Sequence, residues 1–371
     1  MSGKIRLSKS SLSQREKNAV MDVLDKEILG MGDDVNLFEQ DLQTYLDTAY
    51  SVVCVNTGTS ALHLSLSALK IGPGDEVLVP SLTYIATYQA ISAVGATPIS
   101  CEVDPLTLFI DPKDARQKIT DKTKAIIPVL YASSTKGLEG VYALAREFHL
   151  RVIEDAAQAF GSLYEDSSPV GTKGDIVCFS FDGIKNITSG EGGAIISSDQ
   201  NIINHVKDAR LLAVEKDTDN RYTAQRSWDF DVKEQGFRYH MSNIMAAIGR
   251  VQLTRFSEFK SKRQRIATHY LHTLKEVQEV TFLELNYDQT VSHIFVIKAK
   301  RRDDLREYLL SHNIECGIHY KPNHLHTKYR SSEPLPITES VYENILTLPC
   351  HFDLSEEDQN RVVETIKAFY E

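Results

Sequence analysis

The sequence predicts an α/β protein in which a mostly parallel central sheet is followed by a smaller α+β domain. Between about residues 50 and 200, short apolar runs alternate with helical stretches, a pattern typical of a parallel sheet covered by helices on both faces. After about residue 205 this alternation stops, and a long helical region precedes a shorter set of strands and helices. Because a chain of 371 residues usually divides, we expect a large domain over residues 1–245 and a small C-terminal domain over residues 246–371.

In the large domain, the predicted strands are apolar runs bounded by turn residues. They cover residues 51–55, 76–80, 97–103, 125–130, 151–154, 176–181 and 194–197. The intervening helices are predicted to begin near Thr59 and to cover residues 84–94 and 141–148. Ligands of parallel sheets bind at the carboxyl ends of the strands, so we expect a site in the polar loops that follow them.

The C-terminal part shows different patterns. A charged, aromatic stretch at 215–239 is followed by a long predicted helical region at 242–275. The small domain is then expected to alternate strands and helices, with a strand at 291–299, a helix at 302–311, a strand near 316–320 and a terminal helix at 356–370.

The composition argues against several classes of protein. A net charge of -10 disfavours a general nucleic-acid binder, which normally has a basic face, although it leaves room for a local phosphate site. The segment MSGKIRLSKSSLSQ has basic residues but no apolar h-region, so we expect no signal peptide. The longest apolar runs are too short to span a bilayer, so we expect no membrane segment. The five cysteines favour buried, reduced thiols in a cytoplasmic protein; a catalytic thiol is the alternative, but none has an obvious histidine partner nearby in the sequence. We expect no metal site.

The loop Asn-Thr-Gly-Thr-Ser at 56–60 follows a predicted strand and opens a helix. Gly58 permits a tight turn there. Thr59 and Ser60 can offer hydroxyls and free backbone N–H groups at a helix N-terminus, where a phosphate is attracted. An ordinary helix cap is the alternative interpretation.

Other strand ends carry candidate catalytic groups. Asp155 directly follows a predicted strand; a carboxylate there can stabilise a protonated pyridine nitrogen or simply cap the next helix. Gln158, one helical turn further on, could hydrogen-bond the phenolic oxygen of the same ring. Lys185 follows another strand and precedes a Gly-rich loop, where an amine can form a Schiff base or remain a solvated charge. Tyr84 could stack on a ring or pack against the protein.

These motifs resemble those of the DegT-type nucleotide-sugar aminotransferases, a branch of the fold-type I pyridoxal 5'-phosphate (PLP) enzymes with the aspartate aminotransferase architecture. The order and spacing of the motifs match, and the similarity thins toward the C-terminus. It is carried by FEQDLQTYL (38–46), GTSALHL, GPGDEVLVPSLTYIAT, GATPISCEVDP, TKAIIPV, VIEDAAQAFGS, GDIVCFSFDGIKNITSGEGGAI and GFRYHMSNIMAAIGRVQL (236–253).

The resemblance assigns cofactor roles to the candidates. It implies that Lys185 is the catalytic Schiff-base lysine, that Asp155 contacts the pyridine nitrogen and that Gln158 contacts the ring oxygen. The other cofactor contacts that it implies are Gly58, Thr59, Ser60, Tyr84 and Ser180. PLP is then the cofactor, with pyridoxamine 5'-phosphate (PMP) as its intermediate form.

The segment GFRYHMSN corresponds to one that reaches into the partner's active site in a homodimer with shared sites. Many relatives have Asn-Tyr-Arg-Met where this chain has Arg238, Tyr239, His240 and Met241. Arg238 is therefore expected to replace the usual Asn contact with the cofactor phosphate, bringing a charge and a fork of donors. A second departure is Leu130, where relatives commonly carry His.

Two loops resemble substrate loops of the family. In GIHYKPNHLH, we expect His319, Tyr320 and His324 to contact the substrate, with a solvated loop as the alternative. The loop LGMG at 29–32 corresponds to one beside the sugar, which makes Met31 a further candidate.

The function that this resemblance implies is transfer of an amino group from L-glutamate to a nucleotide-linked keto sugar. The motifs MSNIMAAIG and KNITSGEGG look more like enzymes that act at C4 than at C3. The expected reaction converts dTDP-4-keto-6-deoxyglucose to dTDP-4-amino-4,6-dideoxyglucose for surface polysaccharide such as the O-antigen of lipopolysaccharide. The alternatives are a GDP- or UDP-linked 4-keto sugar, a 3-keto sugar, or a PLP-binding regulator without turnover. Lys185 disfavours the related C3 dehydratases, which carry His in its place.

Overall fold

The computed structural model describes residues 3–214, 217–223, 225 and 229–371. The strands are β1 (Ser51–Val55), β2 (Glu76–Pro80), β3 (Thr97–Cys101), β4 (Thr123–Ile126), β5 (Arg151–Asp155), β6 (Ile176–Ser180), β7 (Gly193–Ser197), β8 (Val280–Phe282), β9 (Phe295–Ala299) and β10 (Ile345–Leu348). The helices of the first half are α1 (Gln14–Asp25), α2 (Asp33–Leu46), α3 (Gly58–Ala68), α4 (Ile85–Ala93), α5 (Pro112–Gln117), α6 (Leu138–Phe148) and α7 (Gln200–Ala209). Those of the second half are α8 (Asp217–Tyr222), α9 (Asn243–Thr254), α10 (Phe256–Leu274), α11 (Arg302–Ser311), α12 (Pro336–Asn344) and α13 (Glu356–Tyr370).

The large sheet has the order β1-β7-β6-β5-β4-β2-β3. Strands β3, β2, β4, β5 and β6 pair in parallel, whereas β7 is antiparallel to both β6 and β1. Val52 and Cys54 pack in one core cluster, and Val53 and Val55 pack in the other. Because successive residues of a strand face opposite sides, both faces of the sheet are covered. The predicted α/β class with a mostly parallel sheet is confirmed.

The strand predicted at 125–130 ends earlier than its apolar run. Strand β4 stops at Ile126, although Ile127 N still donates to Leu78 O at 2.8 Å. Pro128 has no N–H for the ladder, so only its carbonyl takes part, accepting from Asp155 N at 2.9 Å. Val129 and Leu130 still pair with Asp155 at the end of β5, through a parallel bridge and through Leu130 N on Asp155 O at 3.0 Å, so the predicted run continues beside β5 after the regular strand has ended.

The small sheet has the order β10-β9-β8 and is antiparallel. The prediction of a strand near 316–320 is wrong. Among these residues only Gly317 pairs, in an isolated bridge with Thr347. The predicted helix at 242–275 is interrupted at Arg255, whose side chain turns inward to pair with the buried Glu16 at 2.5 Å. The helices predicted at 302–311 and 356–370 are confirmed.

Packing relates the N-terminal and C-terminal segments. Helix α9 packs against α1 and α2, whereas α10 packs against α13. The helical region therefore exchanges one set of packing partners for another at Arg255. Ile5 belongs to the core of the small sheet and forms a parallel bridge with Ile314. The domain boundary at residue 245 stays a prediction.

The structure can be compared with two expectations drawn from composition, the state of the cysteines and the lack of a membrane segment. All five cysteines are buried with free thiols, as expected. Among the described residues, no helix combines the length and the apolar character needed to cross a bilayer.

Candidate active site

The site is built where strands β1, β6 and β5 end. Gly193, at the start of β7, pairs with both Val55 of β1 and Ser180 of β6. A side-chain carbon on Gly193 would lie 2.4 Å from Thr57 O, and one on Gly58 would lie 2.8 Å from the Cβ of Ser180. The turn before α3 therefore lies so close to the end of β6 that neither glycine position has room for a side chain.

Helix α3 begins at Gly58, one residue before the predicted start, and Thr57 is its N-cap. Thr57 Oγ1 accepts from Ser60 N at 3.0 Å, and Ser60 Oγ donates to Asn56 Oδ1 at 2.8 Å. The Ser60 hydroxyl is thus engaged in the cap. The N–H groups of Gly58 and Thr59 lie in the first turn, where no intrahelical acceptor exists, so they can meet an anion together with the Ser180 hydroxyl.

Asp155 ends β5 and is only 6% exposed. Its Oδ2 accepts from Thr87 Oγ1 at 2.8 Å, and its Oδ1 accepts from Ala157 N at 3.2 Å. Burial raises the pKa of Asp155, while the bonds from Thr87 and Ala157 and the nearby Lys185 lower it. A cationic ring nitrogen beside this carboxylate would compensate for its burial. Thr87 was not identified as a site residue from the sequence. The only feature that could have indicated it is a hydroxyl in the first turn of a helix that follows a strand end.

Gln158 is buried and uses both ends of its amide. Its Oε1 accepts from Ala132 N at 2.9 Å, and its Nε2 donates to Tyr320 Oη at 3.1 Å. The Ser133 hydroxyl donates to the backbone carbonyl of Gln158. Tyr320 is thereby tied to the same turn as Asp155; its contact with a substrate stays a prediction.

Lys185 is partly buried in the loop after β6, with its backbone N–H on Asp182 O at 3.1 Å. Its Nζ lies 3.4 Å from His293 Nε2. Burial lowers the pKa of Lys185; Asp155 and Asp182 oppose that shift, and Arg263 adds to it. A lowered pKa favours the free amine that a nucleophile needs. His293 was not found from the sequence, because nothing local marks it.

The remaining candidates are distributed unevenly. Tyr84 is 58% exposed beside α4, with its ring 5.6 Å from that of Tyr320. His319 Nδ1 lies 2.8 Å from Thr347 Oγ1, and burial together with the charge of Lys185 lowers the pKa of His319 to about 4. Tyr84 is thus open to a ligand at this end of the sheet, whereas the ring of His319 is engaged through Nδ1.

His324 and Met31 lie among other partners. The ring of His324 is buried between Ser81 Oγ at 2.7 Å and Glu339 Oε1 at 3.2 Å, so both of its nitrogens are occupied. Met31 is a buried member of the main core cluster, and Leu130 is fully buried in the same cluster. These contacts give His324 and Met31 packing roles in this chain; their contact with a substrate stays a prediction.

The segment with Arg238 lies over the turn before α3. Tyr239 O accepts from Asn56 N at 2.7 Å, and His240 bridges to Val55. The side chain of Arg238 is exposed. Contact between Arg238 and the phosphate site of a partner subunit stays a prediction.

Comparison with known proteins identifies this arrangement. Residues 10–367 match the DegT/DnrJ/EryC1/StrS aminotransferase family. The chain belongs to this family.

Solved structures agree over nearly the whole chain. The aminotransferase TlmJ from Streptoalloteichus hindustanus is 30% identical, with a TM-score of 0.91 and coverage of 99% of this chain and 98% of that one. PseC from Helicobacter pylori, an aminotransferase involved in the biosynthesis of pseudoaminic acid, is 26% identical, with a TM-score of 0.90 and 99% coverage of both chains. The sugar aminotransferase CalS13 from Micromonospora echinospora is 31% identical, with a TM-score of 0.90, covering 98% of this chain and 99% of that one.

The family and these neighbours make the protein a PLP-dependent sugar aminotransferase with the fold-type I architecture. The residues at the strand ends fit that cofactor. A buried carboxylate, an amine with a lowered pKa and first-turn N–H groups without an intrahelical acceptor match a pyridinium, an aldehyde and a phosphate in turn.

Proposed function

We propose that Lys185 is the catalytic lysine and that the enzyme transfers the amino group of L-glutamate to the C4 keto group of a nucleotide-linked 4-keto-6-deoxy sugar. The observation that supports this is the convergence of Lys185, Asp155 and Gln158 at neighbouring strand ends of one sheet. When bound, PLP supplies an aldehyde that takes up an amino group and a ring that acts as an electron sink.

Each residue has a distinct task in this proposal. Asp155 holds the proton on the ring nitrogen through its buried carboxylate. Gln158 hydrogen-bonds the ring oxygen, and Tyr84 lies against the ring. The phosphate is held by the N-terminus of α3 and by Ser180, because the close approach of Gly58 to Ser180 brings their polar groups together.

Lys185 moves the proton in the chemical step. Once its amine is free, it would carry the proton that leaves the α-carbon of L-glutamate in the first half-reaction, and in the second half-reaction the proton gained by the sugar carbon that receives the amino group. Its lowered pKa supports this role, because a base with a pKa nearer the working pH transfers protons better in both directions.

The sugar is proposed to be dTDP-4-keto-6-deoxyglucose, with dTDP-4-amino-4,6-dideoxyglucose as product for surface polysaccharide. The support is the pair of motifs MSNIMAAIG and KNITSGEGG, which lie in α9 and in the loop of Lys185. The test follows 2-oxoglutarate release from L-glutamate with dTDP-, GDP- and UDP-linked 4-keto sugars, each beside the corresponding 3-keto sugar. Turnover confined to a 3-keto sugar would overturn the C4 assignment. A cofactor absorbance that does not change on adding L-glutamate would favour a regulator instead.

The enzyme is proposed to be a homodimer in which Arg238 completes the partner's phosphate site. The support is the exposed position of Arg238 on a segment fixed over the turn before α3. Arg238→Ala is expected to weaken PLP affinity by about tenfold, as loss of a charged hydrogen bond would. The measurement is equilibrium dialysis of PLP, beside sedimentation to establish that the variant keeps the same oligomeric state. Unchanged affinity in an unchanged oligomer would show that Arg238 does not bind the phosphate.

A further inference from the structure

His293 is a buried imidazole beside Lys185 that has no task in the proposed reaction. Its side chain is 6% exposed, and its Nε2 is 3.4 Å from Lys185 Nζ. Its other nitrogen, Nδ1, is buried without a hydrogen-bond partner among the described residues. The contact with Lys185 is therefore the one hydrogen-bond contact of this ring among the described residues.

The backbone of His293 is fixed from both sides. Its N–H donates to Ser133 Oγ at 3.0 Å, and the same hydroxyl donates to the carbonyl of Gln158. Its carbonyl accepts from Arg263 Nη1 at 3.3 Å, and that guanidinium nitrogen also binds the carbonyl of Cys350 at 2.8 Å. The backbone of His293 is therefore held in place before any ligand arrives, and the ring is buried beside Lys185.

The charges around this pair favour a neutral imidazole. Burial lowers the pKa of His293, and Lys185, Arg263 and His319 lower it further. The carboxylates that act on Lys185 are Asp155 and Asp182. A neutral imidazole accepts a hydrogen bond at one nitrogen and carries its proton on the other. With Nε2 facing the lysine, the proton belongs on Nδ1.

We infer that His293 is a positioning residue: its Nε2 accepts a hydrogen bond from the Lys185 amine whenever that amine is not bonded to the cofactor. The amine is thereby kept aimed at the reacting carbon instead of sampling the other rotamers of a long side chain. This inference rests on the proposed role of Lys185. It also links two cofactor contacts, since Gln158, Ser133, His293 and Lys185 form one continuous series of hydrogen-bonded neighbours.

The test compares two substitutions that keep different halves of the ring. In His293→Gln the side-chain amide can reach the position of Nε2, whereas in His293→Asn it reaches only that of Nδ1. Apoenzyme is mixed with PLP, and the rate of Schiff-base formation is followed by absorbance from pH 6.5 to 9.5. We expect the high-pH plateau of His293→Asn to fall about tenfold and its midpoint to move to lower pH, because an acceptor stabilises the ammonium form. His293→Gln is expected to stay within about threefold of the native plateau.

Binding of PMP separates this role from a loss of structure. PMP forms no bond with a lysine, so its affinity is expected to stay within about twofold in both variants if the fold is intact. His351→Gln is a matched control, because it alters another buried imidazole, one whose Nε2 lies 3.1 Å from Arg6 O. If His293→Asn lowers PMP affinity, His293→Leu, which also lacks an acceptor, replaces it in the comparison.

Two results would overturn the inference. One is a native plateau and midpoint in His293→Asn; the other is equal slowing in the Asn and Gln variants, which would show that the Nε2 acceptor is not what matters. Borohydride reduction of the native holoenzyme, with mass spectrometry of the labelled peptide, tests the proposed function separately. Label on a lysine other than Lys185 would refute that function, whereas label on Lys185 leaves the outcome to the His293 variants alone.

Discussion

The two sides of the site are built in different ways. On the sheet side, Asp155, Thr87 and Gln158 stand at or next to strand ends: Thr87 donates to Asp155, and Asp155 and Gln158 also accept from the backbone N–H groups of Ala157 and Ala132. On the side of the small sheet, His293, His319 and Tyr320 come from segments outside the regular strands. The sheet side is therefore placed by strand register, and the other side by tertiary contacts. We expect the first to determine cofactor binding and the second to affect substrate and proton transfer more.

Lys185 joins the two sides, and its removal should have the largest effect. Lys185→Ala is expected to lower turnover by about 10³-fold or more, because both the covalent attachment and the proton-transfer base are lost. Single-turnover kinetics with L-glutamate measures this. PMP should still bind, since Asp155 and the N-terminus of α3 are untouched. A variant that retained turnover within tenfold of the native rate would contradict the role of Lys185.

Asp155→Asn tests the sheet side most directly. The substitution keeps the shape but removes the charge, so turnover is expected to fall by about 10²- to 10³-fold. The effect should appear in the rate of the half-reaction with L-glutamate and also in weaker PLP affinity. An effect on the KM for the sugar alone would instead place Asp155 with the substrate residues.

Gly58→Ala tests how closely the turn before α3, where the phosphate is proposed to bind, packs against Ser180. The added carbon would lie 2.8 Å from the Cβ of Ser180, so we expect PLP affinity to fall about tenfold through steric overlap. Gly72→Ala is the control, because its added carbon would meet only Val94 O at 3.7 Å. Equal affinities in the two variants would mean that the turn can shift at little cost.

Tyr320→Phe should have the smallest effect of the four and a different character. It removes the partner of Gln158 Nε2 at 3.1 Å, which corresponds to a loss of about threefold to tenfold. We expect most of that loss in the KM for the sugar, with PLP affinity changed less. Equal losses in both quantities would erase the difference between the two sides.

The sheet side of the site can be predicted from the sequence better than the side of the small sheet, because strand register leaves local sequence signals and tertiary contacts do not. Apolar runs and turn residues are local signals, so strands β1 to β7 and the loops with Asp155 and Lys185 could be located from them. Local signals fail where one residue interrupts the pattern, as Pro128 does in the ladder of β4. They also fail for the short strands β8 and β10, which lie on either side of β9 and pair with it.

The neighbours of Lys185 show the same limit within the site. His293 is 108 positions away in the chain from Lys185, and Thr87 is 68 positions away from Asp155. Neither separation leaves a mark in the sequence, because the contacts depend on how whole elements pack. Family resemblance supplied the roles of Asp155 and Gln158, but it did not supply His293 or Thr87.

The bridge between Ile5 and Ile314 has a consequence for synthesis on the ribosome. Residues 5–10 are made before their partners, because Glu315, which accepts from the Leu7 amide, and Gly183, whose carbonyl accepts from the Ser10 hydroxyl, follow later in the chain. Such non-local pairing must wait for the later residues. Residues 5–7 therefore stay without these partners until Ile314 and Glu315 have been made, and the segment that flanks the Lys185 loop reaches its place only after that point.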